Sequence, residues 1–215
     1  MICAKISFCA SLLSVAILSI SLNTASAGDN QLPAFGRDTV LVWKAQNKDY
    51  SSDFVIRIAE FLPDRFLEWE DGQTQGTLFM SSHDIREAPG YSSSDLFKSG
   101  SDARTQNATT MWLSQRVFRD LKAKKKIKIN LDGVQGLMTL AGTDQMTMEV
   151  NKSKLTLPVV KIKDDRGSER WFLDQEDNPL MVRHLIRQYD QSLVSITTDR
   201  PNTLRFIKGN KLKQK

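Results

Sequence analysis

The chain has 215 residues, 40% hydrophobic and 26% charged, with 30 Lys and Arg against 25 Asp and Glu. This composition excludes a disordered chain, a collagen-like repeat and a multi-span membrane protein, and leaves room for one generous domain or two small ones. The net charge of +5 permits contact with acidic surfaces without specifying one.

The first residues carry an export pattern. Lys5 supplies a positive start, Ile6 to Leu22 is uncharged and mostly apolar, and Ala25-Ser26-Ala27 is the small-residue site read by signal peptidase. The pattern predicts a signal peptide over residues 1–27, cleavage following Ala27 and a periplasmic or secreted product. The apolar run is long for a signal core and short for a spanning helix, and its interspersed serines favour removal over retention as an anchor. Both cysteines, Cys3 and Cys9, fall inside the signal segment of residues 1–27, which excludes thiol nucleophiles, cysteine metal clusters and redox chemistry from the rest. Residues 28–207 read as a single β-rich domain and residues 208–215 as a basic tail.

Beyond residue 38 apolar side chains recur mostly with period two, the strand period. Thr39 to Ala45 is a first strand. From Phe54 to Leu62, Phe54, Ile56 and Ile58 alternate with Arg57 and Glu60, and Pro63-Asp64 turns the chain into a strand over Arg65 to Glu70. Asp71-Gly72 predicts a two-residue type I′ turn, with positive φ at both central positions, into a strand over about Thr74 to Ser81. From His83 to Asn107 apolar periodicity disappears among Ser, Gly, Asp and Pro, and a long surface loop or lid is expected. Ser114 then caps a short helix with an apolar stripe of Val117, Phe118 and Leu121, closed by Lys122, Lys124, Lys125 and Lys126 against the helix dipole.

Strands dominate from there on. Ile127, Ile129 and Leu131 lead through Asp132-Gly133 into Val134, Met138 and Leu140, and a two-residue turn sets Leu131 opposite Val134 and Ile127 opposite Met138 on one apolar side. Ala141 to Asp144 reads as a turn into Met146, Met148 and Val150, and Asn151-Lys152-Ser153 as another into Leu155, Leu157 and Val159. Arg166-Gly167 leads to Trp171 and Leu173, an acidic turn spans Asp174 to Asn178 with Pro179, and Leu180 to Arg187 pairs with Ser192 to Thr198. The expected fold is mainly β, a curved antiparallel sheet or half-barrel of about nine or ten strands with one short helix packed on it.

Catalytic signatures are sparse. His83 and His184 lie about a hundred residues apart with no metal-ligand spacing, and no strand-turn-helix elbow of the G-x-S-x-G kind presents a serine. Glu68 and Glu70 would share one strand face as a glycosidase pair does, but their alternation with apolar residues fits a solvated outer face better. Asp174, Glu176 and Asp177 crowd one turn without the glycine-spaced ligands of a calcium loop. The lysines at 122–128 and in the tail have only Phe206 interleaved for base stacking, so nucleic acid is not an expected partner, and no metal or cofactor is expected. The informative residues are wide or flexible apolar ones placed on strands: Trp43, Trp69, Phe79, Met138, Met146, Met148, Trp171 and Met181. Methionine repacks around varied ligands, so these eight are the candidate ligand-binding residues, the plain alternative being that they fill a core.

The C-terminal third also carries a resemblance. Leu157-Pro158-Val159-Val160-Lys161-Ile162, Arg166-Gly167-Ser168-Glu169-Arg170-Trp171-Phe172-Leu173-Asp174, Asn178-Pro179-Leu180-Met181-Val182-Arg183 and Leu193-Val194-Ser195-Ile196, with Trp112-Leu113-Ser114 upstream, resemble a group of bacterial exported proteins of unknown function. These are similar to periplasmic families whose curved antiparallel sheet is like that of the outer-membrane lipoprotein carriers, where a half-barrel covers lipid chains. The resemblance implies a fold and transfers no catalytic residue. Together these readings predict a non-enzymatic periplasmic or secreted binding protein for a hydrophobic ligand or envelope component, with lipid, lipoprotein or another envelope protein as partner and at most a peripheral membrane contact. The alternatives are a scaffolding module acting through sheet edges or lysine-rich regions, and a hydrolase if a serine or carboxylate lies within reach of His83 or His184.

Overall fold

The computed structural model describes Leu32 and residues 34–93, 96–98 and 100–198; the expected signal peptide and basic tail lie outside these described residues. The fold is mainly β. Its strands are β1 (Val40–Gln46), β2 (Ser51–Glu60), β3 (Arg65–Glu70), β4 (Gln75–Met80), β5 (Gly90–Tyr91), β6 (Asp102–Arg104), β7 (Ala108–Thr109), β8 (Lys126–Leu131), β9 (Val134–Val150), β10 (Ser153–Asp164), β11 (Ser168–Leu173), β12 (Met181–Ile186) and β13 (Tyr189–Thr197). Two helices, α1 (Ser82–Glu87) and α2 (Gln115–Lys124), interrupt them. One 13-stranded sheet runs in the order β6-β4-β3-β2-β1-β13-β12-β11-β10-β9-β8-β5-β7.

In β1 to β4 the period-two pattern governs burial residue by residue. Leu41, Trp43, Phe54, Ile56, Ile58, Leu67, Trp69, Leu78 and Met80 are all buried. Trp43 lies opposite Phe54, Ile56 opposite Trp69 and Leu67 opposite Leu78, so one face of the sheet carries a continuous apolar layer. At α2, Ser114 is the N-cap as expected: its Oγ accepts from the Val117 N–H at 3.2 Å and donates to the Ala88 carbonyl at 2.7 Å. Val117, Phe118 and Leu121 are buried, and Lys125, in the left-handed region at φ 63°, ends the helix.

Several expectations are corrected. The sheet has more strands than nine or ten and is mixed, because the supposed loop from His83 to Asn107 contains most of α1 together with β5 and β6. β6 pairs in parallel with β4, and β5 in parallel with β7 and β8. Strands of two or three residues have too few side chains to display a period. The turn after β3 lies one residue later than Asp71-Gly72: the Asp71 N–H donates to the Thr74 carbonyl at 3.1 Å, leaving Gly72 (φ 88°) and Gln73 in the centre. The Asp71 carboxylate draws the turn there by accepting from the N–H groups of Gln73 (3.0 Å) and Thr74 (2.7 Å). No turn occurs at Ala141 to Asp144; β9 continues through it, and Gly142, at φ 149°, marks a bulge where Leu140 and Gly142 face the adjacent Ile162 and Lys161.

The later hairpins follow their local chemistry more closely. Asp132 and Gly133 have φ of 50° and 82°, and Leu131 pairs with Val134 and Ile127 with Met138. The shared apolar side nevertheless stops short of Val134, which is 60% exposed at the hairpin end. Asn151 and Lys152 both have positive φ, and Ser153 already pairs with Val150, so that turn has two residues. Near it, Ser195 and Ile196 of β13 pair in parallel with Glu149 and Val150, closing a cycle of pairings through β9, β10, β11, β12 and β13. Asn151 fastens this junction, its amide donating to Thr198 Oγ1 and its carbonyl oxygen accepting the Thr198 N–H, each at 2.8 Å.

Candidate functional site

The apolar layer of β1, β2 and β13 ends in a row of smaller side chains. Ala45 pairs with Gln191 on one side and with Ser52 on the other, one step beyond Trp43 and Phe54. Where those rings fill space, Ala45 and Ser52 leave it open, and a cavity of about 320 Å³ results. Phe54, Phe97 and Met111 complete its apolar wall. Phe97 meets Phe54 edge-on at 5.1 Å and Trp69 edge-on at 5.6 Å, while Trp43 stands 6.1 Å behind Phe54.

Polar groups cluster on the same wall. Tyr50, Ser52, Asp71, Ser93, Tyr189 and Gln191 all line it. The Tyr50 hydroxyl donates to Ser52 Oγ at 2.6 Å. Burial acts to raise the Asp71 pKa, yet the N–H groups of Thr74 and Gln73 outweigh it and hold the carboxyl below its ordinary value, so Asp71 is an anion at neutral pH. Burial raises the Tyr189 pKa, with the nearby Tyr50 and Asp190 adding to it, and this phenol stays neutral. Gln191 is 8% exposed overall, and its side chain lines the cavity. Lining the cavity, this amide is placed to bond something entering it.

Behind Tyr189 lies a second polar group. The His184 ring sits edge-on to Tyr189 at 6.1 Å, and its Nε2 is 2.7 Å from Ser168 Oγ. Burial, reinforced by the Arg170 charge, pushes the His184 pKa down to about 4. Arg170 is tied to Asp164 at 2.6 Å with both side chains almost fully buried, and its guanidinium lies 5.4 Å from the Tyr91 ring. A serine is therefore within reach of one imidazole, which the hydrolase alternative requires. Ser168 is 1% exposed and lines neither this cavity nor the two others described.

The eight residues singled out in the sequence fall mainly in the packed interior. Trp43, Trp69, Met138, Met148, Trp171 and Met181 are buried, Phe79 and Met146 half-buried, and none lines the 320 Å³ cavity directly. Trp43 and Trp69 back the Phe54 and Phe97 wall. Phe79 is stacked by Arg104 at 4.5 Å, and Trp171 by Lys161 at 4.6 Å and Arg183 at 5.1 Å, on cationic side chains that shield them. Trp43 donates its indole N–H to the Met181 carbonyl at 3.1 Å.

The charged candidates are engaged with each other. Asp174 takes Lys122 at 2.8 Å and Glu176 takes Arg119 at 3.0 Å, while Glu68 accepts from Arg57 at 3.3 Å. His83 is exposed on α1, and its neighbour Asp84 is buried, accepting from Thr105 Oγ1 and the Asn107 N–H. Among the described residues no group of three or more His, Cys, Asp or Glu side chains could hold a metal ion, and no helix is long and apolar enough to cross a membrane. The cavity residues Tyr50, Phe97, Met111, Tyr189 and Gln191 carried no signal in the sequence, because they converge from segments far apart in the chain. No family model matches this chain, and no curated protein matches it at a significant level.

Proposed function

We propose that this is a periplasmic or secreted binding protein for a hydrophobic ligand, with a sheet that curves as a half-barrel around its apolar face. The observation that carries the reading is the 320 Å³ cavity with an apolar wall and the Gln191 amide in its lining. A volume at the lower end of the range of ligand sites suits a single acyl chain or a compact ring system better than a multi-chain lipid. The closed cycle of pairings from β9 to β13 supports the curvature, since strands can return on themselves only if the sheet bends. The test is organic extraction of the purified full chain followed by mass spectrometry, beside an Ala45→Phe variant that fills the cavity. A co-purifying apolar compound lost in the variant supports the proposal; no compound from the wild type, and no binding of a hydrophobic dye sensitive to Ala45→Phe, overturns it.

A scaffolding role is the second reading, favoured by one observation. Among the described residues, 141–148 of β9 pair with β10 on one side only, and all but Met146 and Met148 are exposed. An open edge of this length is a template for a strand from another envelope protein. A stable partner captured equally well by Ala45→Phe would favour this reading over the first.

A further inference from the structure

The chemistry of the cavity wall goes beyond apolarity. Four aromatic residues, Tyr50, Phe54, Phe97 and Tyr189, contribute to the lining, and Asp71 is its one charged residue among the described residues. No Lys or Arg lines the cavity among the described residues. Aromatic rings attract a cation through their negative faces and a carboxylate adds direct Coulomb attraction, whereas an anionic head would meet Asp71 with no positive lining group among the described residues to offset it. One Asp71 oxygen is committed to the turn, accepting from the N–H groups of Gln73 and Thr74, and the carboxylate as a whole lines the cavity. The Gln191 amide, which lines the cavity, supplies a carbonyl oxygen that accepts from an ammonium N–H or polarises toward a charged methyl.

Resting on the reading of this cavity as an apolar-ligand site, we propose that its ligand is an organic cation: an apolar body with an ammonium head, read by Asp71 and Gln191 and enclosed by the aromatic wall. Free fatty acids and phosphate-headed lipids are selected against at the same place. Head-group choice thus comes from the Asp71 carboxylate and the aromatic faces, while the chain or ring occupies the space left by Ala45 and Ser52.

The experiment compares three probes with the same chain, each below its micelle concentration, by calorimetry on the full-length protein: dodecyltrimethylammonium, dodecyl maltoside and laurate. The ammonium probe is expected to bind about tenfold more tightly than the maltoside, and laurate more weakly than either. Asp71→Asn keeps the oxygen that accepts from Gln73 and Thr74 and removes the charge; it should erase the ammonium preference, with an unchanged circular dichroism spectrum and urea midpoint reporting an intact fold. In the wild type, raising the salt concentration should narrow the gap between the ammonium and maltoside probes. Laurate binding as tightly as the ammonium probe, or a preference that survives both Asp71→Asn and high salt, overturns the head-group assignment and leaves the apolar site standing. Failure of all three probes overturns the site itself.

Discussion

Arg65 is the least expected charge in the molecule and offers the sharpest test of the energetics. It opens β3 at 2% exposure, makes no hydrogen bond or ion pair among the described residues, and leaves its Nε buried and unsatisfied. Burial alone lowers its pKa to about 9, which corresponds to about 5 kcal/mol against the charged form. The offset comes from two rings, Phe61 and Trp112, each 4.6 Å from the guanidinium carbon. At about 2 kcal/mol per desolvated cation–π contact they return about 4 kcal/mol, leaving the charge about 1 kcal/mol unfavourable. Arg65→Met keeps an unbranched stem and a polarisable sulfur between the rings and removes the ion. The variant should be more stable by about 1 kcal/mol, read as a higher urea midpoint with an unchanged slope. Arg65→Lys, with a compact and strongly hydrated charge in place of a flat delocalised one, should be less stable than wild type. A loss of 1 kcal/mol or more in Arg65→Met would refute the reasoning, because it would mean that the rings and packing outweigh desolvation.

Two further outcomes follow from residues described above. His184 has a folded pKa of about 4, below its unfolded value, so between those pH values the unfolded state binds more protons and stability falls as pH falls through that window. The loss should reach about 3 kcal/mol near pH 4; in His184→Gln, which can still bond Ser168 Oγ, denaturant titrations should show this component gone, and an unchanged pH profile would sink the assignment. Ser114→Ala removes both the cap to Val117 and the bond to the Ala88 carbonyl, and should cost about 2 kcal/mol in chemical denaturation, whereas a cost below about 0.5 kcal/mol would show that neither bond matters.

The proposed ligand site and the polar group behind it share a wall, Tyr189 and Gln191, and both elements depend on β13. Its register against β1 places Gln191 beside Ala45, and its register against β12 places Gln191 opposite His184. A shift of one residue in either pairing would turn Gln191 away from the cavity and bury Ser192 in its place.

Much of the architecture is written in short-range patterns. Period-two alternation in β1 to β4 fixed which side chains face inward, Asp132-Gly133 set a turn and with it a register, and Ser114 marked a helix start, because each depends on the backbone preferences of a few neighbouring residues. The misplaced turns show where such patterns tie: Gly142 suits a bulge as well as a turn, and Asp71 bonds the backbone after it and moves the turn onto Gly72-Gln73. Tertiary packing decided the rest. The two- and three-residue strands β5, β6 and β7 exist only because neighbouring strands offer them partners, and the cavity exists only because Ala45, Ser52, Phe97 and Gln191 meet from four separate segments. A void is a property of what surrounds it. No local sequence signal encodes the space that small side chains leave between large ones, whereas the alternation that builds the walls is local and can be read from the chain alone.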